Sequence, residues 1–579
     1  MSEQRNLILA VVLSAGILFA WQAFFAPEIV PPTEQQQTTD ANGNVIPAPA
    51  GTVPGTVSAP AVPVDPAAAR QNALTQSARV SIDTPRLKGS IALTGGRLDD
   101  LSLLDYNETL AEDSKVITLL SPAGTQNPYF VDVGWSAAPD QNLKLPNAAT
   151  NWSVKDNKIL KPGQPVTLTW DNGQGLSFER RIDIDTNYMF TVTQTVNNAT
   201  DKPATLSPYG LTRRIGTPAT EGIYILHEGL LGVFGEALTE LDYDDIADEK
   251  GGVVVDKTTG GWIGITDKYW LAALIPDQSA NFTGTFRHQL VDTKDQYQVD
   301  YLRAAVTIPA NGSGSVTNRV FAGAKEVEQI DGYAEALNIS RFDLAIDWGW
   351  LHFITKPLFS ALHYIFLSVG NFGVAIILLT LAIKFLFLPL AYKSYVSMSA
   401  MKLLQPEIQA LRERVGDDKA KLNQEMMGLY KKHKVNPVSG CLPILLQIPV
   451  FFALYKVLYV TIEMRHAPFF GWIQDLSAPD PTTMFNLFGL IPWDPPSFLL
   501  IGVWPLLMGI SMWAQQKLNP QPPDPTQAKI MMMLPLVFTF MLASFPAGLV
   551  IYWTANNVLS IGQQWFIMRR AANRQTAKA

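Results

Sequence analysis

Phe372-Gly-Val-Ala-Ile-Ile-Leu-Leu-Thr-Leu-Ala-Ile-Lys384-Phe-Leu-Phe-Leu-Pro-Leu390 is a long apolar run interrupted by a single charge. A lysine at the centre of a membrane helix costs roughly 2.5–3.5 kcal/mol on insertion scales, so it faces a partner or a wet cavity. A soluble core would have to hide the same charge with no counter-ion nearby in sequence. The competing reading is snorkelling: Lys384 lies nine residues before Lys393, about 13 Å along a helix, and its stem could reach towards a membrane surface.

The rest of the chain agrees with a membrane protein carrying a soluble part. Charged residues make up 16% of the 579, against about 25% in soluble domains. Between Ala26 and Asp343 there are 24 Lys+Arg against 39 Asp+Glu, whereas the remaining segments hold 20 against 12. An acidic soluble body is therefore joined to a basic-flanked membrane part. The single cysteine, Cys441, excludes a disulfide framework and a zinc cluster. The six histidines are scattered without metal-ligand spacing. Neither a metal site nor a cofactor motif is legible, nor a nucleotide-binding loop, nor a catalytic constellation, so the chain does not read as an enzyme.

Leu7 to Phe25 is a mainly apolar stretch of 19 residues after Arg5, about the length of a bilayer core. Ala20-Trp-Gln-Ala-Phe-Phe-Ala26 offers no clean small-x-small step for cleavage, so residues 1–26 read as an uncleaved anchor rather than a signal peptide. Residues 27–78, rich in Pro, Ala, Thr and Gln, read as a flexible, partly extended tether. Residues 79–335 then turn β. Val80-Ser-Ile-Asp, Val116-Ile-Thr-Leu, Tyr129-Phe-Val-Asp-Val, Val166-Thr-Leu-Thr-Trp and Phe190-Thr-Val-Thr-Gln-Thr-Val are strand patterns. Turn signals such as Thr94-Gly-Gly96 and Asp171-Asn-Gly-Gln-Gly175 separate them, which predicts one large antiparallel β-sandwich. Asp242-Tyr-Asp-Asp245 with Asp248-Glu249 reads as a solvated loop rather than a ligand set.

Over 336–358, Phe342, Ile346, Trp350 and Phe353 are spaced 4, 4 and 3. That spacing predicts an amphipathic helix in the membrane interface, with a core helix of the β domain as the alternative. Within 359–570, five further spans follow, at about Leu362–Leu390, Cys441–Thr461, Ser497–Gln516, Ile530–Phe545 and Ala547–Ile567. With the N-terminus inside, residues 391–440 carry nine Lys+Arg against five acids in the cytoplasm, and 463–496 carry one arginine against four acids outside. Both loops, and a tail at 571–579 following Arg569-Arg570, obey the positive-inside rule, giving six transmembrane α-helices with both termini cytoplasmic.

The segment 391–438 predicts a cytoplasmic helical hairpin from Met398–Arg414 and Lys419–Lys432, with Gly416 ending one helix and Asp417 capping the next. Met398, Met401, Met426 and Met427 on it would suit an adaptable contact surface, although a bland solvated hairpin fits equally. Thr380 shares the helical face of Lys384. Gln447, Gln515, Asn556, Asn557, Gln563 and Gln564 are further polar groups in apolar spans. Such groups face water or protein, and some act only as glue between helices, at about 0.6 kcal/mol each. Lys456 reads as snorkelling to the outer interface.

Leu404-Gln-Pro-Glu-Ile-Gln-Ala-Leu-Arg-Glu-Arg414, Glu425-Met-Met-Gly-Leu-Tyr430, Val435-Asn-Pro-Val-Ser-Gly-Cys-Leu-Pro-Ile-Leu-Leu-Gln-Ile-Pro449 and Phe545-Pro-Ala-Gly-Leu-Val-Ile-Tyr-Trp553 resemble the YidC family of membrane protein insertases. The likeness spans roughly residues 355–570. The anchor, tether and β domain are similar to the Gram-negative inner-membrane branch, whose β domain resembles the galactose mutarotase sandwich. The resemblance implies a five-helix insertase core around a hydrophilic groove open to the cytoplasm and lipid, and a periplasmic β domain. It further implies nascent membrane-protein clients, ribosome and Sec translocon as partners in the bacterial inner membrane, without nucleic-acid sequence recognition. By motif position the groove's positive residue is Lys384, where many members carry arginine. Gln447, Tyr552, Trp553 and Asn556 would line the same groove. A solute transporter or channel with a periplasmic binding domain is the alternative function; the core shows no internal repeat of the transporter kind.

Overall fold

In the computed structural model the described residues are 66–576, apart from short stretches at 139–140, 142, 223–225, 250–251, 417, 434, 436–441, 494, 497–498 and 520–524. The anchor expected over 1–26 lies outside them, as does most of the tether. The end of the tether is described and is not extended. Pro66–Thr75 forms a helix, α1. Its sequence, Pro-Ala-Ala-Ala-Arg-Gln-Asn-Ala-Leu-Thr, is rich in strong helix formers, and Arg70 fastens it to the sheet through Asp100, Thr118 and Ser102.

Two sheets follow, one of 11 strands and one of 9. All five strand patterns read from the sequence lie in strands: Arg79–Asp83, Val116–Leu120, Tyr129–Ser136, Val166–Asp171 and Met189–Asn198. Pairing is antiparallel except where Arg79–Asp83 meets Ile159–Leu160. Val192, Gln194 and Val196 alternate inward along Met189–Asn198, the period-2 burial of a half-covered sheet. Trp262, Phe282, Phe321 and Tyr188 fill the space between the layers. The acidic stretch after Asp242 is a short helix, Tyr243–Asp248 (α2), because Tyr243 and Ile246 are buried on one side of it.

Val327–Ala336 (α3) closes the sandwich. Of the amphipathic helix expected over 336–358, only the part from His352 onward forms. Phe342 and Ile346 are buried in the β domain, Phe342 in a 3₁₀ turn at Phe342–Ala345, whereas Trp350 and Phe353 are exposed. The four residues had helical spacing by coincidence: aromatic packing of Phe342 against Trp262 and Phe321 outcompetes the helix.

Helix α4 (His352–Val369) and α5 (Phe372–Leu386) replace the single span expected over 362–390. Gly370 takes φ +70° and Asn371 then accepts from the Val374 amide, which ends one helix and caps the next. A second break follows at Phe387, where Pro389 lies in the first turn of α6 (Leu388–Leu403) and cannot extend α5, so the two bend by 69°. Helices α7 (Gln405–Val415) and α8 (Lys419–Lys432) form the hairpin. Its first arm is split at Leu404, and Asp418 caps the second arm by accepting from the Lys421 amide, whereas Asp417, the expected cap, lies outside the described residues. Then come α9 (Leu442–Val460), α10 (Val503–Leu518), α11 (Pro525–Leu542) and α12 (Ala547–Thr576). The fourth span begins late, because Asp480 and Thr482 receive the amides of Trp504 and Val503 and so fix the start of α10. No single described helix is long and apolar enough to cross a membrane, although α5 with α6 passes as a bent pair.

The β domain is seated on these helices at the C-terminal end of α9. Lys456 on α9 does not snorkel; its ammonium lies 2.6 Å from Asp347. Lys268 stacks on Tyr459, whose hydroxyl donates to Glu221. Glu463, just past α9, accepts from the Val327 amide at 3.1 Å, and its other oxygen has no partner among the described residues.

Burial pushes the Glu463 carboxyl up from 4.5 to about 7. A raised carboxyl pKa favours the folded state at low pH, and that advantage is lost as pH rises from 4.5 through 7. Glu463→Gln is therefore expected to raise the melting temperature at pH 8, with a gain that shrinks steadily towards pH 5; a pH-independent gain would contradict this. A second test concerns Gly323, where an added Cβ would sit 2.2 Å from the Tyr188 ring. Gly323→Ala should destabilise the sandwich by about 1–3 kcal/mol, read as a lower urea midpoint.

Candidate functional site

Three helices bring the polar groups together. Lys384 sits in the last turn of α5, where unpaired carbonyls at a helix C-terminus favour a cation. Its ammonium donates to Ser560 Oγ at 2.8 Å and, more weakly, to Gln447 Oε1 at 3.5 Å. Gln447 in turn donates to the Tyr552 hydroxyl at 2.7 Å. Among the described residues no carboxylate pairs with Lys384. The charge is thus held by neutral oxygens in a half-buried position, reached from α9 and α12.

Helix α12 carries two polar rows. Tyr552, Asn556 and Ser560 recur every four residues and face α5 and α9. Ser560 also donates to the Asn556 carbonyl, while the Asn556 side-chain oxygen is buried without a partner among the described residues. Asn557 and Gln564 point elsewhere, to Ser511 at 3.0 Å on α10 and to Asn519 at 2.9 Å. Those two act as helix glue.

The remaining expected residues divide. Thr380 is buried and spends its hydroxyl on the Ile376 carbonyl at 2.7 Å, so it does not join the Lys384 cluster. Trp553 packs against Phe451 and Phe538, a wall beside the cluster rather than a polar member. On the hairpin, Met398 is buried with Ala391, Tyr395 and Ile567, and Met401 packs on the same cluster. The bend after α5 folds α6 back onto α12, which removes both from an exposed surface. Met426 is half-buried and Met427 exposed. Ser560, the nearest partner of Lys384, escaped the sequence reading, though its spacing four residues beyond Asn556 was a usable signal.

His227 and Asp242, 15 residues apart, meet at 2.8 Å beside Asp347 and Lys456. They border a cavity of about 420 Å³ between the β domain and α9. Among the described residues no group of acids and histidines could hold a metal.

Comparison with known proteins bears on the whole chain. The family model described as YidC periplasmic domain matches residues 79–361, and that described as 60Kd inner membrane protein matches 364–575. A protein of Methylorubrum extorquens named membrane protein insertase YidC is 52% identical over 98% of this chain and 96% of its own. One of the same name from Beijerinckia indica is 52% identical with the same coverage, 98% and 96%. A solved structure titled active YidC insertase, with its first transmembrane domain resolved, is 18% identical, covers 84% of this chain and 91% of its own, and has a TM-score of 0.35. With both halves matched and relatives about half identical from end to end, the chain belongs to the YidC family of membrane protein insertases, carrying that family's periplasmic domain.

Proposed function

We propose that this chain inserts membrane proteins by drawing the exported, acidic or polar part of a client against Lys384 while the client's apolar segment slides along the surrounding helices. The observation that carries this reading is an ammonium held, among the described residues, only by Ser560 and Gln447. Neutral hydroxyl and amide oxygens solvate a cation without neutralising it, so its field stays available to a passing carboxylate. Gln447, Tyr552, Asn556 and Ser560 form the polar wall, and Trp553 an apolar one. Asn556, with an oxygen left unsatisfied, would accept from a client backbone.

The energy source in this reading is client partitioning. A membrane potential, positive outside, adds about 2.3 kcal/mol per charge per 100 mV in favour of exporting an acidic tail. The groove opens to the cytoplasm, both termini are cytoplasmic, and the hairpin α7–α8 presents Met427 to the ribosome or the Sec translocon. Lysine lacks the bidentate fork of arginine, which matters little for transient attraction.

Lys384→Glu is expected to block insertion of a single-span client with an acidic exported tail, measured by protease protection in vesicles, and Lys384→Arg to retain it. Normal insertion by the Glu variant removes the groove-charge reading. Deleting most of residues 80–320 should leave insertion largely intact in the same assay; complete loss would relocate the activity to the β domain.

A further inference from the structure

On the face of the larger sheet turned away from the sandwich core, three neighbouring strands place chemistry in register. Tyr129–Ser136 pairs with Ala204–Ile215, which pairs with Lys294–Arg303. One cross-strand row reads Phe130, Arg213, Gln298, and the next reads Asp132, Leu211, Asp300. These rows, with Arg97 and Leu145, line a cavity of about 260 Å³ that the activity of the helical core does not use.

The lining carries Arg97 and Arg213 against Asp132 and Asp300, but Arg180 and Arg287 also contact those two carboxylates, so four guanidiniums share two acids. Arg213 is only 7% exposed, yet both of its described hydrogen bonds go to the neutral Oε1 of Gln298. Among the described residues no carboxylate hydrogen-bonds Arg213, which is costly for a buried guanidinium; burial, with Arg97 close by, holds it below its usual pKa, although Asp132 and Asp300 offset part of that shift. Arg97 is 3.4 Å from Asp132 and stacks 4.6 Å from the Phe130 ring centre, while Arg213 stands 6.0 Å from the same ring. The two carboxylates are already engaged. Asp300 accepts from Gln298 at 2.6 Å and Arg287 at 3.3 Å, and Asp132 faces Arg180 at 3.8 Å in addition to Arg97. Two guanidiniums around one ring, with apolar Leu211 and Leu145 alongside, describe a receptor for a carboxylate flanked by apolar groups.

We propose that this cavity binds an acidic segment of an exported polypeptide, with its carboxylate between Arg97 and Arg213 and its apolar neighbours against Leu211 and Leu145. The source of the ligand rests on the insertase reading above, since inserted clients deliver such segments to the side on which the β domain lies. Binding here would hold an acidic tail after it has passed Lys384.

The test is fluorescence anisotropy of the full chain in detergent with a short labelled peptide carrying glutamates beside leucines. The counterpart peptide has glutamine in place of every glutamate. The glutamate peptide is expected to bind about tenfold more tightly, and Arg213→Gln and Arg97→Gln each to erase the preference. Melting curves of both variants confirm that they fold. Equal binding of the two peptides, or an unchanged preference in folded variants, overturns the proposal. So does saturation by glutarate with no peptide binding, which would make this a small-acid site. Client insertion by the same wild-type preparation separates the two readings: failed peptide binding with insertion intact removes this proposal alone.

Discussion

An ammonium that, among the described residues, is solvated only by neutral oxygens inside a helix bundle constrains everything around it. Lys384 needs Ser560 and Gln447, so α5, α9 and α12 must converge at one depth. It also needs the α5 helix to end just beyond it, where Pro389 and the 69° bend supply both free carbonyls and a turn towards the hairpin. The bend in turn lays α6 on α12, burying Met398 and Tyr395 beside Ile567. The charge, the break and the packing of the hairpin's root are one arrangement.

A second lysine shows the opposite solution. Lys456 meets Asp347 at 2.6 Å, joining α9 to the segment that leaves the β domain. A paired charge is neutral at a distance and serves to position; a charge among hydroxyls keeps its field. The two lysines thus differ in kind: one is held by neutral oxygens within the bundle, the other is ion-paired where α9 meets the β domain. Glu463, Tyr459 and Lys268 extend the attachment.

The β strands were legible because alternation and turn residues act locally, as in Met189–Asn198 and Thr94-Gly-Gly96. Lys384 and Gln447 were legible because polar groups stand out in apolar helices, and Tyr552 through the resemblance to the family. What escaped depended on distant partners. Phe342 and Ile346 had helical spacing, but aromatic neighbours from the sandwich decided their place. The α4–α5 break rests on Gly370, with φ +70°, and the Asn371 cap, two residues that interrupt what read as a single span. Asp347 and Lys456 are 109 residues apart, and nothing local marks either as the other's partner. Met398 looked like a surface residue until the bend after Phe387 folded its helix inward.

The central claim is that clients pass the row Tyr552–Asn556–Ser560 and not the row Asn557–Gln564. It is tested most directly by disulfide crosslinking of a stalled nascent client, bearing a single cysteine in its apolar segment, to single cysteines placed in a Cys441→Ser background. The account predicts adducts at Gln447→Cys and Ser560→Cys and none at Asn557→Cys or Ser511→Cys. Equal adducts at all four positions, or adducts confined to Asn557 and Ser511, would contradict it.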